Sequence, residues 1–369
     1  MSTQRLLVFP ATVDAAIPFI RVARALGFEV IGASSVPLKP DQADYPELIH
    51  LPFVTDPGFD DAFLEALAEH RITHVHAPHH VVWWHLKKLR PARPVSFSLC
   101  EPHPFESHWE AFSDSRHWAE RQNVEAFAQA LPQPPGGLAP PLGISQLAGL
   151  HRNFLRTPGE TDEDKLGALY TISRLAPAGD VVEIGSLFGR SAQALAWLAG
   201  HYRIGSTLCI DPWRVSSATD QGPQASLITD VGFHIDFEQV FLNFLATAAA
   251  TPGTSYIRAL SAEAIETYAQ AARTGRHAAD GLDPVSVQGR IALLHIDGNH
   301  RYDHVCADIR NWAPCLADHG WLMLDDYVWS FGDGPQRAGD ELLATGDYDH
   351  AFTLSDTLFL RRAPRSKPA

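Results

Sequence analysis

VVEIGSLFGRSAQALAWLAG, residues 181–200, reads as a short apolar strand, a turn carrying Gly185 and Gly189, and an alanine- and leucine-rich helix. Glycine lets a backbone approach a ligand where a Cβ would collide. Taken alone, the junction is open between a nucleotide-type ligand site and a plain tight turn. The next apolar run, Leu208–Ile210, ends in Asp211. A carboxylate at the tip of the neighbouring strand can accept both hydroxyls of a ribose. By itself such an aspartate would be a helix cap or turn residue. Paired with the glycine turn, it favours a ribose-bearing ligand.

Outward from this unit the alternation continues. Val181–Ile184, Leu208–Ile210, Ser255–Ile257, Ile291–Ile296 and Trp321–Leu324 read as strands with helices between them. HAFTLSDTLFLRR, residues 350–362, reads as a hairpin turning at Ser355 and Asp356. Five parallel strands and a closing hairpin predict an α/β, doubly wound, Rossmann-like sheet. Upstream, Arg5–Phe9, Phe28–Gly32 and Ile72–Val75 read as strands, with helical spacing over Val13–Leu26 and Phe59–His70. That predicts a smaller α/β domain over residues 1–95. Residues 96–158 read as a connector with one helix, Glu106–Leu131, and the run PQPPGGLAPPLG, whose prolines and glycines block regular structure. A helix over Asp162–Leu175 then leads into the domain spanning 159–369.

LLHIDGNHRY places Asp297 directly after an apolar strand and His300 three residues on; WLMLDDY places Asp325 and Asp326 after the next. In such a sheet these strands are neighbours, ~5 Å apart, and their carboxyl ends open onto the ligand crevice. Three converging carboxylates repel one another unless a cation compensates. A hard divalent ion such as Mg²⁺ suits an all-oxygen site. The plainer alternative is one helix-capping aspartate and two solvated ones. Zinc through His295 and His300 has less support, because His295 points into the domain from mid-strand.

The motif Glu183-Ile184-Gly185-Ser186 with Gly189 resembles the first motif of class I S-adenosylmethionine-dependent methyltransferases. That resemblance implies that the turn cradles the amino-acid end of S-adenosylmethionine and that Asp211 holds its ribose. It also places Ser261 at the adenine, although a helix N-cap explains Ser261 equally well. The block IDGNHRYDHVCADIRNWAPCLADHGWLMLDDYVW resembles the metal-dependent sugar O-methyltransferases of macrolide biosynthesis and their cephalosporin-hydroxylase-like relatives. The likeness covers roughly residues 180–362. It implies that Asp297, Asp325 and Asp326 bind Mg²⁺ and that His300 is the base. The family usually has aspartate where this chain has Asn299. An imidazole, with an ordinary pKa near ~6.5, can take a proton at neutral pH. The first 95 residues resemble the domain that precedes ATP-grasp folds, through the strand–helix–strand opening, ALGFEVIGAS, and Asp44 ahead of HLPF. The ATP-grasp core itself is absent, so no ligase activity follows.

With 43 acidic against 29 basic residues the net charge is −14, with the two signs interspersed. Nucleic-acid binding would need a basic stripe, so that class is excluded. No apolar run approaches the ~20 residues needed to cross a bilayer, which predicts a cytoplasmic protein without a membrane partner. Cys100, Cys209, Cys306 and Cys315 are too scattered for a disulfide framework or a zinc cluster. HVHAPHHVVWWH gathers His74, His76, His79, His80 and His85 with Trp83 and Trp84; a strand end and a helix with aromatic core contacts account for it better than a metal or sugar site. Trp213 and Trp329 flank the motifs and would either line the pocket or pack. The expectation is a Mg²⁺-assisted O-methyltransferase acting on a hydroxylated small molecule or sugar, with a homo-oligomer left open. The rivals are a metal-independent N-methyltransferase, a non-catalytic ligand-binding protein, and a hydroxylase-like role for which no two-histidine, one-carboxylate signature is evident.

Overall fold

The computed structural model describes residues 4–37, 48–92, 97–100, 102–122, 125–222, 225, 227 and 234–365. Asp44 and Pro94 lie outside them. The chain divides into two compact units, Met1–Asp114 and Ser115–Ala369.

In the first unit, β1 (Arg5–Val8), β2 (Glu29–Ser34), β3 (Leu48–His50), β4 (His74–His76) and β5 (Ser98–Leu99) form one parallel sheet in the order β3-β2-β1-β4-β5. Parallel sheets are covered on both faces, and alternation along the strands shows it here. Leu7 and Ile31 pack with Phe63 of α2 (Phe59–Glu69) and Leu86 of α3 (His80–Ala92). Leu6, Val8 and Val30 pack with Ile20 and Ala23 of α1 (Ala16–Ala25). The histidine-rich stretch is divided between β4 and α3. His76 stacks on Phe19 with ring centres 3.6 Å apart, and burial pushes its pKa down to about 4. His85 lies 2.6 Å from Asp60, and the Trp83 indole donates to the Cys100 carbonyl.

The unit division falls inside α4 (Pro104–Gln122). Where one helix was expected over 106–131, α4 is followed by a separate α5 (Glu125–Ala130). Beyond the proline-rich run comes α6 (Ile144–Arg156), which the sequence reading did not anticipate. α7 (Glu163–Ser173) begins where Asp162 caps it, accepting from the Lys165 backbone N–H at 2.8 Å.

The second unit's sheet has seven strands in the order β13-β14-β12-β11-β6-β7-β8. β6 (Asp180–Ile184), β7 (Thr207–Ile210), β8 (Thr254–Ile257), β11 (Ile291–Ile296) and β12 (Leu316–Leu324) are mutually parallel. β14 (Thr357–Arg362) runs antiparallel to both β12 and β13 (Tyr348–Leu354). β9 (Arg276–His277) and β10 (Val285–Ser286) make a separate ribbon. The helices of this unit are α8 (Arg190–Tyr202), α9 (Val215–Thr219), α10 (Phe237–Ala249), α11 (Ser261–Thr274), α12 (Tyr302–Trp312) and α13 (Gly334–Ala344). From β6 the chain winds outward through β7 and β8 on one side and through β11 and β12 on the other. This is the expected doubly wound, Rossmann-like sheet, and its winding reverses between β6 and β11. The carboxyl ends of those two strands are therefore where a ligand crevice belongs. Among the described residues, no helix is long and apolar enough to cross a membrane.

Candidate active site

Ladder hydrogen bonds run one residue past the strand ends and level the tips. Gly185 N–H donates to Ile210 O at 2.8 Å, Asp297 N–H to Ile184 O at 2.8 Å, and Asp325 N–H to Ile296 O at 2.9 Å. The first turn then passes very close to the fourth strand of the series. At Gly185 φ is +84°, and a Cβ there would sit 1.9 Å from the Asp297 carbonyl oxygen. Any other residue would push the turn off β11. Gly189, with φ +93°, heads α8 in the same left-handed region.

Asp211 closes this turn from the tip of β7. One of its oxygens accepts from Ser186 N–H at 3.0 Å and Leu187 N–H at 3.1 Å; the other accepts from Trp213 N–H at 2.7 Å. Burial pushes its pKa up against the pull of those three bonds. Trp213 is buried against Phe241 and Phe244. Two residues of the expected cofactor set face elsewhere. Glu183 is fully buried, 3.0 Å from Nδ1 of His295, which is itself fully buried. Ser261 donates to the buried Asp308 of α12.

The three aspartates and His300 do come together, in two layers. Ligand atoms of Asp297, His300 and Asp326 lie within 4.8 Å of one another, as do those of His295, Asp297 and Asp325. In the outer layer His300 Nε2 is 3.0 Å from Asp326 Oδ2, and Trp329 meets the imidazole edge-on with centres 4.5 Å apart. Asp326 holds φ +52°, a left-handed backbone that aspartate tolerates better than most residues and that concentrates at functional sites. The loop beneath is braced: Asn299 donates to the Asp220 carbonyl at 2.6 Å, and His300 N–H donates to the Gln221 side chain at 2.7 Å.

The inner layer contains a residue that sequence reading missed. Asp325 is ion-paired to Lys165 of α7, with side-chain exposures of 6% and 3%. Its other oxygen accepts from Thr357 Oγ1 at 2.7 Å and from Asp326 N–H at 3.0 Å. His295 Nε2 stands 3.5 Å away. Burial works to raise the Asp325 pKa, but Lys165 and His295 hold it well below the usual carboxylate range. Burial and the neighbouring Asp325 together push Asp297 well above that range. Lys165 stays above its ordinary value because Asp325 and Asp297 outweigh the cost of burial. One signal for it exists in the sequence: Lys165 is the single lysine between residues 89 and 366, a stretch otherwise served by arginine.

A divalent cation fits the outer layer by its donors. Asp297 and Asp326 offer hard oxygens at a half-buried rim, where water can complete the coordination. Asp325 does not share that freedom, since both of its oxygens already accept from protein donors.

The sequence model of the methyltransferase-domain family matches residues 182–327. The fold is similar to that of the O-methyltransferase NovP, at 16% identity and a TM-score of 0.40, over 54% of this chain and 80% of that one. It is similar to the calicheamicin methyltransferase CalS11, at 15% identity and 0.40, over 71% and 93%. It is also similar to MycE, a methyltransferase from the mycinamycin pathway solved with Mg and SAH, at 13% and 0.29, over 50% and 46%. No curated protein matches the chain. Residues 182–327, which carry the glycine turn, the Asp211 clasp and the acidic strand tips, match the model of a methyltransferase domain.

Proposed function

We propose that the protein transfers the methyl group of S-adenosylmethionine to a hydroxyl of a small molecule or sugar, assisted by a divalent cation such as Mg²⁺. The observation that carries this reading is the meeting of Asp297, His300 and Asp326 at the strand tips, beside the Gly185 turn that packs on the Asp297 carbonyl. Gly185, Ser186 and Gly189 would shape the bed for the cofactor's amino-acid end. Asp211 keeps that bed in place and offers its remaining lone pairs to the ribose. The sulfonium methyl is already activated, so the protein mainly aligns nucleophile and methyl. Asp297 and Asp326 would hold the cation. When bound, the cation lowers the pKa of a substrate hydroxyl. His300, steadied by Asp326, is placed to take the hydroxyl proton.

The metal-free rival draws on Lys165, which already compensates one of the three carboxylates. Chelation separates the two. With EDTA, turnover of a hydroxylated substrate should fall to background and return with Mg²⁺, while calorimetric binding of S-adenosylhomocysteine stays within about twofold. Full turnover after exhaustive chelation establishes the metal-free reading instead.

A further inference from the structure

The acidic site already contains a cation, covalently part of the chain. The Lys165 ammonium is 3% exposed and ion-paired to Asp325, and its backbone is pinned by the Asp162 cap. An ammonium is a compact point charge that can neutralise one carboxylate without the forked geometry of a guanidinium. Thr357 and the Asp326 N–H complete the shell of Asp325. What remains facing the rim is two carboxylates and an imidazole, Asp297, Asp326 and His300.

We propose that Lys165 is the permanent counter-ion of this site, keeping Asp325 out of the metal's coordination so that Asp297 and Asp326 bind a divalent cation only weakly. This rests on the metal reading above and adds its consequence. A divalent ion held by few protein oxygens keeps several positions for water and for a substrate hydroxyl. The cation is then completed by substrate rather than stored by the protein. Repulsion between the ammonium and a divalent ion a few ångströms away also lowers affinity, by about tenfold or more.

The test uses full-length protein without substrate and Mn²⁺ as the probe, its free fraction read by electron paramagnetic resonance. Wild type should bind weakly, and Lys165→Met at least about tenfold more tightly, with Asp325 released to the metal. The melting temperature of Lys165→Met should rise with added Mn²⁺ far more than that of wild type, because the ion replaces the lost charge. Removing one partner of a buried pair can itself unfold a protein. The double variant Lys165→Met/Asp325→Asn therefore runs alongside; it should fold without metal and bind Mn²⁺ as wild type does. The counter-ion role is overturned by a Lys165→Met that binds no more tightly than wild type, or by one that stays unfolded at saturating Mn²⁺. A double variant as tight as the single also overturns it. A different result sinks the metal reading underneath: no Mn²⁺ bound to any of these proteins at millimolar concentration, or binding that survives Asp297→Asn unchanged.

Discussion

His300 is held from several directions. Its backbone N–H is bonded to Gln221, its ring lies against Asp326 and Trp329, and Gly334 lets α13 start beneath it, where a Cβ would come within 2.1 Å of the His300 carbonyl. A base so placed should contribute ~10²–10⁴-fold to the chemical step. His300→Ala should therefore lower kcat by that factor while leaving S-adenosylhomocysteine affinity unchanged. Raising the pH from 6 to 9.5 should recover part of the loss, as alkoxide forms unaided; single-turnover rates at saturating cofactor and Mg²⁺ measure this. A flat pH response, with lost thermal stability instead, would make the histidine a brace. Asp211→Ala leaves three backbone N–H donors without their acceptor at once, so it should weaken cofactor binding by about 1.5–3 kcal/mol in calorimetry. It should also lower the melting temperature, since the turn loses its clasp. The aspartates at the strand tips were legible because a strand end fixes where the next side chain goes. Lys165 was not, because it reaches Asp325 across 160 positions of sequence from a different element. Nothing local in DEDKLGALY distinguishes a buried lysine from a solvated one.

Between elements, the bond from Ser261 to Asp308 ties the start of α11 to α12. Burial raises the Asp308 pKa to about 6 although Ser261 pulls it down. An unfolded aspartate titrates near ~3.9. The folded state thus holds this proton more tightly, and the penalty for ionising Asp308 grows from about pH 4 and is complete above about pH 6. There it amounts to about 2–3 kcal/mol. Asp308→Asn keeps an acceptor for Ser261 and removes the penalty. It should raise the melting temperature at pH 7–8, lose about half of that gain by pH 5 and most of it toward pH 4; an equal gain at pH 8 and pH 4 would show that titration is not the cause. Element reading succeeded where burial is uniform, as in the apolar runs of β6 and β11. It began β12 at Trp321, five residues late, because Ala317, Asp318 and His319 look like a turn and His319 does adopt φ +65°. The two-residue strands β5, β9 and β10 are too short to impose any period on the sequence.

Across the whole molecule, the proline-rich run suggested a boundary because prolines and glycines stop regular structure, yet the helices on either side of it belong to the catalytic unit's core. Trp118 of α4, with Leu147, Leu150 and Phe154 of α6, shares one buried cluster with Val181 of β6 and Leu195 of α8. Trp118 also stacks on His151, with ring centres 4.6 Å apart, and donates to the Glu163 carbonyl at the head of α7. Their apolar positions were visible, but nothing in the sequence said which sheet they cover, since that depends on chain path and not on local period. The consequence is a sharp difference between two fragments. Residues 104–369 keep all of α4 and the whole cluster, so they should fold cooperatively and bind S-adenosylhomocysteine with full-length affinity. Residues 159–369 lose Trp118, Leu147, Leu150 and Phe154 together. Each large buried side chain is worth about 2–5 kcal/mol, and a domain's total stability is roughly 5–15 kcal/mol. The shorter fragment should therefore show no cooperative melt and no calorimetric binding. Circular dichroism melts and titrations of the two fragments decide the matter. A shorter fragment that folds and binds would return the boundary to the proline-rich run and make α4 and α6 an accessory layer.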